Sequence, residues 1–196
     1  MEALDAILPW ESKDTNSERR YDAALLFLIY PLGLIKGEMA NKIISDVQAN
    51  LQGELGIRRY QGDSFWCADY KEKLDESVRT ADFSDDMSSR DSYLKPGEEA
   101  QWCIFDPIIS IIYGNKYLET KDDQFYSKQI TYFNRSLKHI TLSNDLPARL
   151  LCPELYYLEN GQYVPNDVVP LLWAQANLEL AFFTLKKILQ EKEKSH

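Results

Sequence analysis

Apolar positions recur along most of the chain at helical spacing. Tyr21, Ala24, Leu25 and Leu28 follow i, i+3, i+4, i+7, and Pro31 ends the run. A second run opens at Gly37, places Met39, Ile43, Ile44, Val47 and Leu51 on one face, and closes at Gly53 and Gly56. A third centres on Ile104, Ile108, Ile111 and Ile112 and ends near Gly114; Pro107 inside it either kinks the helix or marks its first residue after an Asp106 cap. A fourth puts Tyr126, Ile130, Phe133, Leu137 and Ile140 on one stripe. The last spans about 168–190 with Leu172, Ala176, Leu180 and Phe183 in phase, before a Lys/Glu tail expected to fray into solvent. No stretch alternates with period two convincingly, so the pattern predicts an all-α protein.

Two connections are long, 53–97 and 141–165. Loops of this length in a compact domain are usually functional or disordered. Both are rich in aromatic residues: Tyr60, Phe65, Trp66, Tyr70 and Tyr93 in the first, Tyr156, Tyr157 and Tyr163 in the second. Disordered segments are poor in such residues, so ordered, site-building loops are expected. A mobile loop is expected at 75–95, around the Asp/Ser-rich tip 82–91.

Composition narrows the function classes. The chain has 196 residues, enough to bury a sizeable core. Its formal net charge is −9, which repels phosphate backbones and disfavours a nucleic-acid partner. Cys67, Cys103 and Cys152 are odd in number and widely spaced; they form no metal-ligand pattern and suit a reducing, cytoplasmic setting. The longest apolar run, Ala23 to Tyr30, is too short to span a bilayer, and no basic leader opens the sequence, so neither a membrane anchor nor a secretory signal is expected. Nothing matches a Ser/His/Asp arrangement, a phosphate loop or a zinc site. His139, on a helix with apolar neighbours, reads as structural, and no cofactor is expected.

Three clusters could carry chemistry. In Gly56-Ile57-Arg58-Arg59-Tyr60-Gln61-Gly62-Asp63-Ser64-Phe65-Trp66, two arginines, an aspartate and three rings share one loop. Planar charged groups bond vicinal hydroxyls and rings stack on a pyranose face, so this mixture suits sugar; a salt-bridged surface loop has the same composition. Pro96-Gly97-Glu98-Glu99-Ala100-Gln101-Trp102 leads into the third helix, where acidic residues also suit a helix N-terminus. In Leu150-Leu151-Cys152-Pro153-Glu154-Leu155-Tyr156-Tyr157, a carboxylate lies between a proline and aromatic residues, as a tuned acid or base would, or as an exposed loop glutamate would.

In this order the clusters resemble glycoside hydrolase family 15, the glucoamylase family, with its relatives the α and β subunits of phosphorylase kinase. The resemblance covers nearly the whole chain, and the second half of the family's domain. Leu4 to Pro9 and Asp22-Ala23-Ala24-Leu25-Leu26 look like the segment after the family's general-acid helix. Arg59-Tyr60 with Asp63 resembles its Arg-Tyr-x-x-Asp loop, whose arginine binds the nonreducing sugar. Trp102 resembles the tryptophan that opens a barrel helix. Pro153-Glu154-Leu155-Tyr156, Asn160-Gly161 and Pro170-Leu171-Leu172-Trp173-Ala174-Gln175-Ala176 resemble the base motif, with Glu154 at the base position.

The resemblance implies an (α/α)6 toroid, about half of it in residues 1–196, and inverting hydrolysis of α-glucan, with Glu154 as base and Arg59, Tyr60, Asp63 and Trp102 on the sugar. The family's acid lies in a Trp-Glu-Glu-type motif upstream of the matched region. Trp10-Glu11-Ser12 is no substitute, because its flanks match the segment after that motif. The chain alone is therefore expected to be inactive. Its partners would be α-glucan and the missing half or a second copy. A regulatory or glucan-binding module of the phosphorylase-kinase type, or an inactive partial product, are the alternatives.

Overall fold

A computed structural model describes residues 6–10, 20–78, 92, 95, 97–141 and 150–194. The tip at 82–91 and Glu11-Ser12 lie outside the described residues. The helical elements are a 3-10 turn at Ala23–Leu25 running into α1 (Leu26–Ile29), then α2 (Gly37–Asn50), the short α3 (Tyr70–Lys73) and a 3-10 turn at Glu76–Val78, α4 (Phe105–Thr120), α5 (Asp123–Lys138) and α6 (Leu172–Lys194). The protein is mostly helical, but not purely so. Strands β1 (Gln101–Trp102), β2 (Leu155–Glu159) and β3 (Gln162–Pro165) form an antiparallel sheet in the order β1-β2-β3.

Helix α4 is the axis of the packing. It is buried almost all round from Phe105 to Gly114 and again at Tyr117, as a helix enclosed by neighbours must be. Pro107 falls in its first turn, where its missing N–H has no intrahelical partner to lose. The helix begins at Phe105 with Ile104 at the cap position, not after an Asp106 cap. Its Ile108, Ile109 and Ile112 join Leu26 of α1 and Ile43, Ile44 and Val47 of α2 in one core. On the other side, Ile111 packs with Phe133, Cys152, Tyr156 and the α6 residues Ala174, Leu178 and Ala181. A third, aromatic core of Trp66, Tyr70, Leu155 and Tyr157 joins the 53–78 segment to the sheet. That long connection is thus ordered where it is described.

Two helices present faces other than those expected. On α5 the buried positions are Gln129, Tyr132, Phe133 and Ser136, while Leu137 is exposed. On α6 the buried positions are Ala174, Asn177, Leu178, Ala181 and Ile188. The stripe Leu172, Ala176, Leu180 and Phe183 faces outward. The α6 tail also stays helical to Lys194, tied back by Lys121 to Glu191 (2.5 Å) and Lys192 to Asp123 (2.7 Å). Helices α4 and α6 approach closely: a Cβ on Gly114 of α4 would lie 2.6 Å from the Thr184 methyl of α6.

The β2–β3 turn is Asn160-Gly161, both at positive φ (52° and 77°). These residues tolerate the left-handed region that a two-residue hairpin turn requires.

Candidate functional site

The site begins with a half-buried cation. Arg135 of α5 donates from Nε to Asp106 Oδ1 (2.8 Å) and from Nη2 to the carbonyls of Gly53 (3.0 Å) and Gly56 (3.3 Å). His139 Nε2 lies 3.0 Å from the other Asp106 oxygen. His139 therefore belongs to the framework, as its apolar setting suggests. Arg135 pins the Gly53–Gly56 turn, which also grips Gln101: its Oε1 accepts from Leu55 N (2.8 Å) and Gly56 N (3.1 Å). Ile57 and Trp102 then exchange two backbone bonds, Trp102 N to Ile57 O at 2.9 Å and Ile57 N to Trp102 O at 3.2 Å. This places Arg58, Arg59 and Tyr60 beside the entry to α4.

Three other backbone junctions bring the remaining segments in. Ala23 N donates to Arg59 O (2.7 Å), so the start of the α1 turn lies along the arginine loop. Cys103 N donates to Glu154 O (3.0 Å), extending the β1–β2 pairing by one residue. Glu154 N donates to Val168 O (3.0 Å), bringing the approach to α6 alongside.

Together these contacts enclose a cavity of about 440 Å³. Arg59, Tyr60, Trp102 and Glu154 all line it, although they come from three regions of the sequence. Asp22 and an apolar wall that includes Phe27, Phe105 and Trp173 complete it. Phe27 and Trp173 stack at 5.2 Å with an interplanar angle of 16°. Opposite in character is the charged wall. Arg59 Cζ lies 4.5 Å from the Trp102 ring centroid and 5.2 Å from that of Phe65, and these two rings stack at 5.9 Å.

Asp63 does not line the cavity. It is 1% exposed and stands behind Arg59, accepting from Nε at 2.6 Å and Nη2 at 2.7 Å. It also accepts the Phe65 N–H at 3.1 Å. Burial pulls the Arg59 guanidinium down. The hydrogen bonds and charge of Asp63, with smaller pulls from Tyr60 and Asp22, outweigh this and hold it above its usual pKa. Arg59 is therefore a fixed cation. It has five N–H groups, and Asp63 uses two of them.

Glu154 is half-buried, and its Oε2 accepts from Asn166 Nδ2 at 2.7 Å. Asn166 is itself buried and held by its N–H to Leu155 O at 3.1 Å. A carboxylate steadied through one oxygen is oriented in the way a general base needs. Asp22, the second carboxylate of the cavity, accepts the Ala24 N–H at 2.7 Å as the cap of the Ala23 turn.

Two of these residues escaped the sequence reading. An Asp before Ala-Ala-Leu-Leu signals a helix start, and that signal locates Asp22. Nothing in the sequence marks Asn166. Among the described residues no group of three or more His, Cys, Asp or Glu is placed to hold a metal ion, and no helix is long and apolar enough to cross a membrane.

No protein-family model matches the chain, and no curated protein matches it significantly.

Proposed function

We propose that the cavity is a sugar site of glycoside hydrolase family 15 type, and that the chain binds the nonreducing end of an α-glucan there. One observation carries the reading: Arg59, Tyr60, Trp102 and Glu154, singled out as sugar contacts and base, converge on one aromatic-walled cavity. Arg59 would donate to sugar hydroxyls, with Asp63 fixing its plane. Tyr60 and the rings around Trp102 would cover the apolar faces of the sugar.

In this reading Glu154 is the general base of an inverting reaction and Asn166 positions it. The base removes a proton from a water on the sugar face opposite the leaving oxygen, while an acid about 6.5–9.5 Å away protonates that oxygen. The resemblance places the acid in a motif upstream of the matched region, so the acid would come from another segment, in cis or in trans. The helices here would form about half of an (α/α)6 toroid that this segment completes. Without the acid the chain binds and does not cleave, which also fits a regulatory module. Three buried thiols with no disulfide between them fit a cytoplasmic setting.

Glycogen co-sedimentation and maltose calorimetry test this. The wild-type chain should bind without releasing glucose, Arg59→Ala should weaken binding about tenfold or more, and Glu154→Gln should retain it. Binding indifferent to Arg59→Ala would refute the site. Glucose release lost in Glu154→Gln would refute the missing acid.

A further inference from the structure

Helix α6 carries apolar residues on its outer face as well as its inner one. It buries Ala174, Asn177, Leu178, Ala181 and Ile188, yet Leu172 is 77% exposed and Phe183 52%. Leu172, Ala176, Leu180 and Phe183 lie at i, i+4, i+8 and i+11, one stripe about 17 Å long on an exposed face. Isolated exposed apolar side chains are ordinary, but a continuous row of this kind marks an interaction surface.

The charges along the stripe indicate what covers it. Exposed Glu179 precedes the Leu180–Phe183 pair and exposed Lys186 and Lys187 follow it. A second α6 laid antiparallel, with its two-fold axis midway between Leu180 and Phe183, sets each Leu180 against the partner copy's Phe183. The same placement brings Glu179 within one helical turn of the Lys186–Lys187 pair of the other copy, twice. The small Ala176 then faces the aliphatic stem of Lys187. A parallel pairing would set acid against acid and base against base. The surface is therefore self-complementary under a two-fold axis and closes after two copies, as an isologous interface does.

We propose that the chain forms a two-fold symmetric dimer through the outward stripe of α6, with Leu180 and Phe183 at its centre and Glu179 paired across it with Lys186 and Lys187. This holds whether or not the cavity binds glucan.

The test is sedimentation equilibrium of the full 196-residue chain over a concentration series. The wild type should show twice the 22.8 kDa mass of one chain, saturating at two copies. Phe183→Glu and Leu180→Ser should each give monomer with unchanged circular dichroism, since both side chains are exposed; two variants guard against a folding defect in one. Glu179→Lys should weaken the dimer about tenfold, and adding Lys186→Glu and Lys187→Glu should restore it. A wild type that stays monomeric at 100 µM overturns the proposal. So does open-ended association, a dimer indifferent to both apolar variants, or a charge swap that fails to restore it.

Discussion

Replacing Asp63 with Asn tests the link between framework and site. Asp63 is 1% exposed and gives Arg59 two short bonds, at 2.6 and 2.7 Å. Asn supplies one acceptor and one NH2 group, and the NH2 would face a guanidinium that can only donate. One charge-assisted bond is lost outright, worth about 1.5–3 kcal/mol, and the remaining bond loses its charge. Breaking a fully buried pair costs about 3–5 kcal/mol. The Arg59 side chain is 34% exposed and can turn towards water, which discounts that figure to about 2 kcal/mol. With a urea m-value of about 2 kcal/mol/M, the midpoint should fall by about 1 M at unchanged m. In a double-mutant cycle with Arg59→Met, the coupling should be about 1.5–2 kcal/mol, because either change alone already breaks the pair. The same Asn variant should weaken maltose binding about tenfold through a misdirected Arg59. A coupling below about 0.5 kcal/mol, or unchanged maltose affinity, would show that Asp63 does not hold the arginine in place.

Gly56→Ala should cost about 2 kcal/mol and lower Tm by about 6 °C, because the new Cβ would stand 2.7 Å from the Trp102 carbonyl oxygen, a backbone atom that cannot swing aside; an unchanged melting curve would contradict the tight turn. Burial, with lesser pushes from neighbouring charges, raises Tyr132 and Tyr156 to about 12 and burial raises Cys152 to about 11. The folded state thus holds these protons more tightly than the unfolded chain does. Their contribution is complete below about pH 9 and is lost as pH rises from there towards 12. Urea midpoints at pH 8, 10 and 11 should fall steadily, and Tyr156→Phe should flatten the decline; stability that is level to pH 11 would count against it.

The helical reading succeeded where burial is one-sided. Ile43, Ile44, Val47 and Leu51 of the second run all point inward. On α6 it failed for a physical reason: the helix carries apolar residues on more than one face, and periodicity alone does not say which face the fold covers; Ala174, Asn177, Leu178, Ala181 and Ile188 are the buried ones. The close approach of Gly114 on α4 to Thr184 on α6 helps set which face is covered, a contact no sequence window contains. The hairpin was hidden because Leu155, Tyr156 and Tyr157 are all buried, which erases the alternation of a half-exposed strand. Its trace was Asn160-Gly161 between two tyrosine-containing runs. At the site, residue type left both readings open, and it was the family resemblance that marked Arg59, Tyr60, Trp102 and Glu154, which the structure places on one cavity. Asp63, marked with them, acts one step behind, and Asn166 owes its role to the β3–α6 connection folding back on Glu154.

The sugar-site reading meets its most direct test in the four indole N–H resonances, followed by ¹⁵N NMR during a maltose titration. Trp102 and Trp173 line the cavity; Trp66 stands in the aromatic core with Tyr70 and Tyr157, and Trp10 packs near Arg20. Assigned by single Trp→Phe variants, the Trp102 and Trp173 signals should shift together with one saturation curve, and those of Trp10 and Trp66 should stay in place. Four unmoved signals at saturating maltose, or a response centred on Trp66 or Trp10, would contradict the account.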